Sequence, residues 1–312
     1  MAKRILVIGS SNMDLSLNVY RLPSAGETVI DDGGVAYTPG GKGANAAISL
    51  RRLGADTVFC TKLGADSHGQ KLYGYFKDEG LDTSYIKVDR DFPTGFAAVI
   101  KESDAQNRII YYPGANTNLT RENLLEAFSC SPDAVYLNFE ISFEAAMVAA
   151  KIAASRSIPV FIDAAPASAD YPLESLPPVE IFSPNESETK ELTGILPAGA
   201  DSSLRAALAL WKRVKCKYII IKQGSRGVFV YDGKHYSMIP AFRADKVVDT
   251  TAAGDAFGAA MLLEYLSHGD VNLAVKYGAA AGAVAVSRAG AATSVPTASE
   301  VLEFIRKRPN EI

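Results

Sequence analysis

Two rhythms of apolar residues run along the chain. In the first, short unbroken aliphatic runs such as Ile5-Leu6-Val7-Ile8 recur at 58–63, 134–139, 159–162, 180–183 and 218–222. Continuous β-branched runs of this length fit strands covered on both faces, as in a parallel sheet. Between them, apolar residues fall at helical spacing over 46–53, 69–79, 142–154, 186–193, 202–214, 253–266, 271–288 and 299–307. Strand and helix in regular succession predict an α/β fold, an open, mostly parallel sheet flanked by helices on both faces.

The second rhythm is strict alternation. Leu15, Leu17 and Val19 alternate with Ser16 and Asn18, and the turn Pro23-Ser24-Ala25-Gly26 leads to Thr28-Val29-Ile30 and Val35-Ala36-Tyr37. Runs at 96–100 and 108–112, joined by a polar turn over 102–107, share this character. Alternation predicts half-exposed strands of antiparallel type. They cluster in two excursions, 15–39 and 93–113, which predict a small β-sheet lid, a dimer contact, or both, beside a core formed by 1–14, 40–92 and 114–312.

Composition narrows the class. The 312 residues are 48% hydrophobic and 21% charged, enough for a sizeable core, with a net charge of −3 and no block of Lys and Arg. Neither a nucleic-acid partner nor an anionic membrane is expected. The longest run of small apolar residues, 278–286, is too short to span a bilayer, and the apolar run at 5–8 is too short for a leader core. Cys60, Cys130 and Cys216 stand alone, as reduced thiols of a cytoplasmic protein would. His68, His235 and His268 lack metal-ligand spacing and receive no role.

The chemistry concentrates at Asp249-Thr250-Thr251-Ala252-Ala253-Gly254-Asp255. A glycine at the start of the helix predicted from 253 leaves backbone N–H groups free at the positive end of the helix dipole, which suits an anion such as phosphate. Asp255 would repel a phosphate, so it is read either as a helix cap or as a base that deprotonates a hydroxyl attacking that phosphate. Other polar residues follow the strand runs: Asn12 and Asp14, Glu140, Asp163, Asn185 with Glu188, and Gly224-Ser225-Arg226-Gly227. Each alone fits a cap or turn. Their gathering at strand C-terminal ends, where open α/β sheets bind ligands, favours a site. Gly40-Gly41-Lys42-Gly43-Ala44-Asn45 feeds a helix but lacks the G-x-x-x-x-G-K-[ST] spacing, and Lys42 and Asn45 offer donors for sugar hydroxyls.

Taken in order, these motifs resemble the ribokinase-like (PfkB) family of sugar kinases along essentially the whole chain. The resembling segments are 9–14, 23–28, 40–45, 184–188, 224–227 and 249–257. The resemblance implies an ATP-dependent phosphotransferase acting on the 5-hydroxyl of D-ribose, giving ribose 5-phosphate and ADP. A sibling activity on deoxyribose, fructose or a nucleoside is the alternative. It also implies catalysis by Asp255 as base, with an anion hole at Ala252, Ala253 and Gly254. Asn12, Asp14, Gly41, Lys42, Gly43, Asn45 and Glu140 would surround the sugar. Asn185, Glu188, Lys222, Gly224, Ser225, Arg226, Gly227 and Gly254 would hold ATP, with Mg²⁺ near Glu188 through water. A monovalent cation, K⁺, would take Asp249, Thr251, Ala285, Arg288, Gly290 and Ser294, and two lids would meet in a homodimer. The chain has Lys222 where the family commonly has Thr, and Asp163 where Asn is frequent. A non-catalytic binding protein on the same fold is disfavoured by the presence of both Gly254 and Asp255. A dinucleotide-dependent oxidoreductase is disfavoured because the first strand lacks G-x-G-x-x-G.

Overall fold

The computed structural model describes residues 2–31, 33–102 and 107–309. The chain opens with β1 (Arg4–Ile8), then β2 (Asn12–Val19), β3 (Ala36–Gly40), α1 (Lys42–Arg52), β4 (Asp56–Gly64), α2 (Ser67–Asp78) and β5 (Ile86–Asp89). It continues through β6 (Gly95–Glu102), β7 (Asn107–Tyr112), α3 (Arg121–Ala127), β8 (Ala134–Asn138), α4 (Phe143–Ser155), β9 (Val160–Asp163), β10 (Val179–Ser183) and α5 (Glu186–Thr193). Last come α6 (Ala200–Arg213), β11 (Cys216–Lys222), β12 (Val228–Tyr231), β13 (Tyr236–Ile239), α7 (Ala253–His268), α8 (Val271–Ala285) and α9 (Ala298–Arg306).

Nine of these strands form one sheet in the order β13-β12-β11-β10-β9-β8-β1-β4-β5. It is parallel from β11 to β5, and β12 and β13 close one edge antiparallel. Alternate residues of each strand enter separate cores, as the pleat requires. Ile5, Val7, Phe59, Tyr136, Phe161 and Ile220 pack under α1, α2, α7 and α8. Leu6, Ile8, Val135, Ile162 and Phe229 pack under α3, α4 and α6. The order reverses at β1, which lies between β4 and β8, so a crevice opens at its C-terminal end.

The other four strands form a second sheet, β3-β2-β6-β7, as the alternation predicts, with two differences. Residues 28–30 form no strand: Thr28 and Ile30 are exposed and the segment joins no ladder among the described residues, and β3 instead covers Ala36–Gly40. The central pair β2–β6 is parallel, whereas the outer pairs are antiparallel. Strands from two separate excursions need no hairpin between them, so nothing forces antiparallel pairing. Register places Asn12, Asp14, Ala97, Val99, Lys101 and Tyr111 on one face of this sheet and Met13, Phe96, Ile110 and Tyr112 on the other. The predicted turn at 102–107 lies, over 103–106, outside the described residues.

Candidate active site

The end of β1 and the start of α1 build one wall. Gly41 precedes α1 with φ 93, a value that favours glycine, and α1 begins at Lys42, four residues before the predicted start at 46. Ser10 Oγ donates to Glu140 Oε2 at 2.5 Å and the Lys42 amide donates to the same oxygen at 3.0 Å. Glu140 is thereby fixed by the first turn of α1. Gly43 does not face the cavity. A Cβ there would lie 2.5 Å from the Gly9 carbonyl carbon, so Gly43 seats α1 against β1.

The start of α7 forms the opposite wall. Ala252 precedes it in the left-handed region, φ 61, uncommon for a residue with a Cβ. No side chain caps this helix, so the first-turn amides keep their positive potential toward the cavity. Asp249 shapes the approach. Its Oδ1 accepts from the Thr251 amide at 2.9 Å and hydroxyl at 2.6 Å, while its Oδ2 takes the Lys101 ammonium at 3.1 Å. Asp255 follows in the first turn, 3% exposed, accepting from Asn45 Nδ2 at 2.9 Å.

Between these walls lies a cavity of about 1090 Å³ that brings together Asn12, Asp14, Gly41, Lys42, Asn45, Glu140, Asn185, Glu188, Lys222, Gly224, Arg226 and Asp255. The small sheet walls it through Ala97, Val99 and Tyr111. A second cavity of about 620 Å³ adjoins it, lined by Ser225, Gly227, Phe242, Ala253, Phe257, Ala279 and Val286. Lys222, Gly224, Thr250 and Gly254 line both. A polar chamber and a more apolar one therefore meet at the start of α7.

The electrostatics follow from crowding carboxylates away from water. Burial pushes the Asp255 carboxyl up, Lys42 and Asn45 oppose this and Asp163 and Glu140 reinforce it, leaving it at about 6. Burial, with Glu140 and Asp255 nearby, pushes Asp14 up to about 7. Burial disfavours the Lys42 ammonium, yet Asp255, Asp163, Glu140 and Glu188 outweigh it and raise the group above its ordinary value. Polar atoms remain unpaired at this edge, among them Asp14 Oδ1, Asn45 Oδ1, Asn138 Nδ2 and Ser183 Oγ. Buried polar atoms without partners mark a place where a ligand supplies them.

Other predicted residues show mixed arrangements. Asn185 and Glu188 form a reciprocal cap of α5: Glu188 accepts from the Asn185 amide at 2.7 Å and Nδ2 at 2.8 Å, and donates its own amide back at 2.9 Å. Arg226 pairs with Glu186. Of the six residues predicted around the monovalent cation, Asp249 contacts Thr251 and the Gly290 amide, the latter at 3.4 Å. Val286 O accepts from Val248 and Asp249, bringing the end of α8 alongside. The Arg288 guanidinium turns to Glu300, and its amide occupies Ala285 O at 3.1 Å. Ser294 is buried with its hydroxyl on Ala291 O at 2.8 Å. Lys101 and Ser10 are not among the predicted site residues, and Asp163, named with the polar residues at strand ends, receives no role there. Asp163 carried a signal, a carboxylate ending a buried strand. Lys101, opposite Asn18 on β2, carried one only through the sheet face it shares with Asp14.

A mostly parallel sheet with a carboxylate in the first turn of a helix, where two cavities join, fits a phosphotransferase acting on a hydroxyl. The chain belongs to the pfkB family carbohydrate kinases, whose model matches residues 2–298. It is 33% identical over 308 residues to ribokinase of Haemophilus influenzae, covering 98% of this chain and 99% of that one. It is 36% identical over 308 residues to a bifunctional ribokinase/ribose-5-phosphate isomerase A of Fructilactobacillus sanfranciscensis, spanning 56% of that protein's length. Among solved structures, Arabidopsis thaliana ribokinase complexed with ribose and ATP matches with a TM-score of 0.87 at 31% identity, over 98% of this chain and 99% of that one.

Proposed function

We propose that this protein transfers the γ-phosphoryl group of ATP to the 5-hydroxyl of D-ribose, giving D-ribose 5-phosphate and ADP. The observation that carries the reading is Asp255, buried in the uncapped first turn of α7 at the junction of the two cavities. Ribose lies in the polar cavity, where Asn12, Asp14, Gly41, Lys42, Asn45 and Glu140 offer donors and acceptors. The adenine side of ATP lies in the second cavity beside Phe242, Ala279 and Val286, with Gly224, Ser225, Arg226 and Gly227 at its phosphates. Asp255 takes the hydroxyl proton as the oxygen attacks the γ-phosphorus. A carboxyl held at about 6 is a competent base at neutral pH. The amides at 252–254 stabilise the charge that develops on the transferring group.

Among the described residues no group of three or more His, Cys, Asp or Glu converges to hold a metal. Mg²⁺ therefore fits as an ion carried by ATP, with Glu188 facing it through water, because its carboxylate is already engaged by Asn185. When bound it neutralises phosphate charge. A monovalent cation, K⁺, belongs beside the first turn of α7 at Asp249, whose Oδ2 accepts from Lys101 and the Gly290 amide in this structure. The four-stranded sheet acts as a lid, since Ala97, Val99 and Tyr111 wall the sugar cavity. Its other face exposes Ile110 and Tyr112, which supports a lid-to-lid homodimer.

The polar cavity, at about 1090 Å³, takes in Asn185, Glu188, Gly224 and Arg226 and so holds the ATP phosphates as well as the sugar; a sibling activity on deoxyribose, fructose or a nucleoside is the second reading. ADP release measured over ribose, deoxyribose, fructose and inosine, with and without K⁺, tests the assignment. D-ribose with K⁺ is expected to give the highest kcat/KM. A tenfold preference for another acceptor would replace ribose without touching the phosphotransferase assignment.

A further inference from the structure

We propose that Lys222 is a catalytic residue of this kinase, its ammonium neutralising the phosphoryl group in transit between the cavities, and that Asp163 is the positioning residue that holds it there. The proposal rests on the phosphotransferase reading above and extends Lys222 from an ATP contact to a participant in transfer.

Lys222 ends β11, and its backbone is pinned where α5 begins: its amide donates to Pro184 O at 2.9 Å and it bridges to Asn185. Its ammonium donates to Asp163 Oδ1 at 2.7 Å, across the end of β10. The two side chains are 13% and 3% exposed. Lys222 lines both cavities, and its Nζ lies 3.8 Å from where a Cβ on Gly254 would stand. A charge at the start of α7 therefore sits on the passage between the cavities.

A buried ion pair is a weak source of stability, since an apolar pair of similar volume often serves as well. Here Asp163 is the hydrogen-bond partner of the ammonium among the described residues, so N–H groups remain for a ligand. Lysine is a compact charge on a flexible stem and can follow a moving phosphoryl group. In the step, the acceptor oxygen bonds to the γ-phosphorus and the bond to the β–γ bridging oxygen breaks. That electron pair leaves with ADP, and the hydroxyl proton passes to Asp255. Lys222 keeps its proton and supplies charge alone. A purely structural role would instead tie β9 to β11 and leave turnover untouched.

The test uses the full-length protein with whichever acceptor the wild type turns over best. Lys222→Met is expected to lower kcat about 100-fold or more, with sugar KM changed less than about threefold and ADP affinity by calorimetry less than about tenfold. Lys222→Arg, which keeps the charge, is expected to recover part of that loss. Asp163→Asn is expected to lower kcat about tenfold and to move the acid limb of kcat to lower pH. It removes one of the carboxylates facing Asp255 and leaves Glu140 after β8, Asp14 on β2, and Lys42 on α1 in place. Thermal unfolding verifies that each variant is folded. A folded Lys222→Met with kcat within about threefold of wild type, or a folded Lys222→Arg no better than Lys222→Met, overturns the proposal. Should Lys222→Met not fold, an Asp163→Asn variant with unchanged kcat and unchanged acid limb overturns it. A wild type that releases no ADP with any acceptor overturns the function reading itself, and this proposal with it.

Discussion

Asn45 Nδ2 donates to Asp255 Oδ2 at 2.9 Å, tying the first turn of α1 to the first turn of α7 across 210 positions of sequence. The bond aims the carboxylate and favours its charged form, while burial and neighbouring carboxylates disfavour it. Asp255→Asn keeps the shape and removes the basicity. Its kcat is expected to fall by about 10³-fold or more, with ADP affinity nearly unchanged, as steady-state kinetics and calorimetry will show. In the wild type, kcat is expected to fall as pH drops through about 6, because the base is then protonated.

Asp14 is buried with Oδ1 unpaired, and its carboxyl stands at about 7 against an ordinary 3.8. The folded protein thus binds this proton more tightly than the unfolded chain. Its contribution to stability is fully present below the ordinary value and is lost as pH rises through about 7. Asp14→Asn is expected to raise stability at pH 8 by on the order of 1 kcal/mol and to change it little at pH 4. The same substitution is expected to raise sugar KM at least tenfold. Thermal unfolding at the two pH values and initial rates test both halves.

Gly254 has nothing but Lys222 Nζ, at 3.8 Å, near the place a Cβ would occupy. Gly254→Ala is therefore expected to fold, with a melting temperature equal to or above that of the wild type, since alanine suits a helix better. The added methyl faces Lys222 Nζ, where the proposed reaction passes the phosphoryl group, so kcat is expected to fall about 100-fold. Calorimetric unfolding beside turnover separates the two effects.

Lys101 reaches from β6 to Asp249 Oδ2, and Asp249 in turn holds Thr251 just before α7. Burial pushes the Asp249 carboxyl up, but the Thr251 and Lys101 contacts outweigh it and keep the group below its usual range. Lys101→Met is expected to raise sugar KM several-fold and to alter the K⁺ concentration needed for half-activation. A K⁺ titration of both proteins, followed by tryptophan fluorescence as well as turnover, measures the change.

The main sheet was legible because buried parallel strands are written as continuous aliphatic runs, and α5 and α7 because Asn185 and the small residues at 252–254 mark their starts. Residues 28–30 misled because β-branched residues favour a strand wherever a partner is available, and here the segment joins neither sheet among the described residues. The short strands β5, β12 and β13 and the helix α3 left too short a pattern to read. In the site, Asp255, Asp14, Lys42 and Glu140 were visible as polar residues closing strands or opening helices. Lys101 was hidden because a lysine on an alternating strand looks solvent-facing until the register is known. Gly43 looked like a ligand contact, whereas the glycine serves the approach of α1 to β1.

The most direct test of the account is the product formed by the wild-type protein from ATP, Mg²⁺, K⁺ and D-ribose, analysed by two-dimensional phosphorus–proton NMR. The account predicts one equivalent of ADP per sugar consumed and a phosphorus correlation to the C5 protons of ribose. Phosphate on any other oxygen, or ADP formed without a phosphorylated sugar, would contradict it.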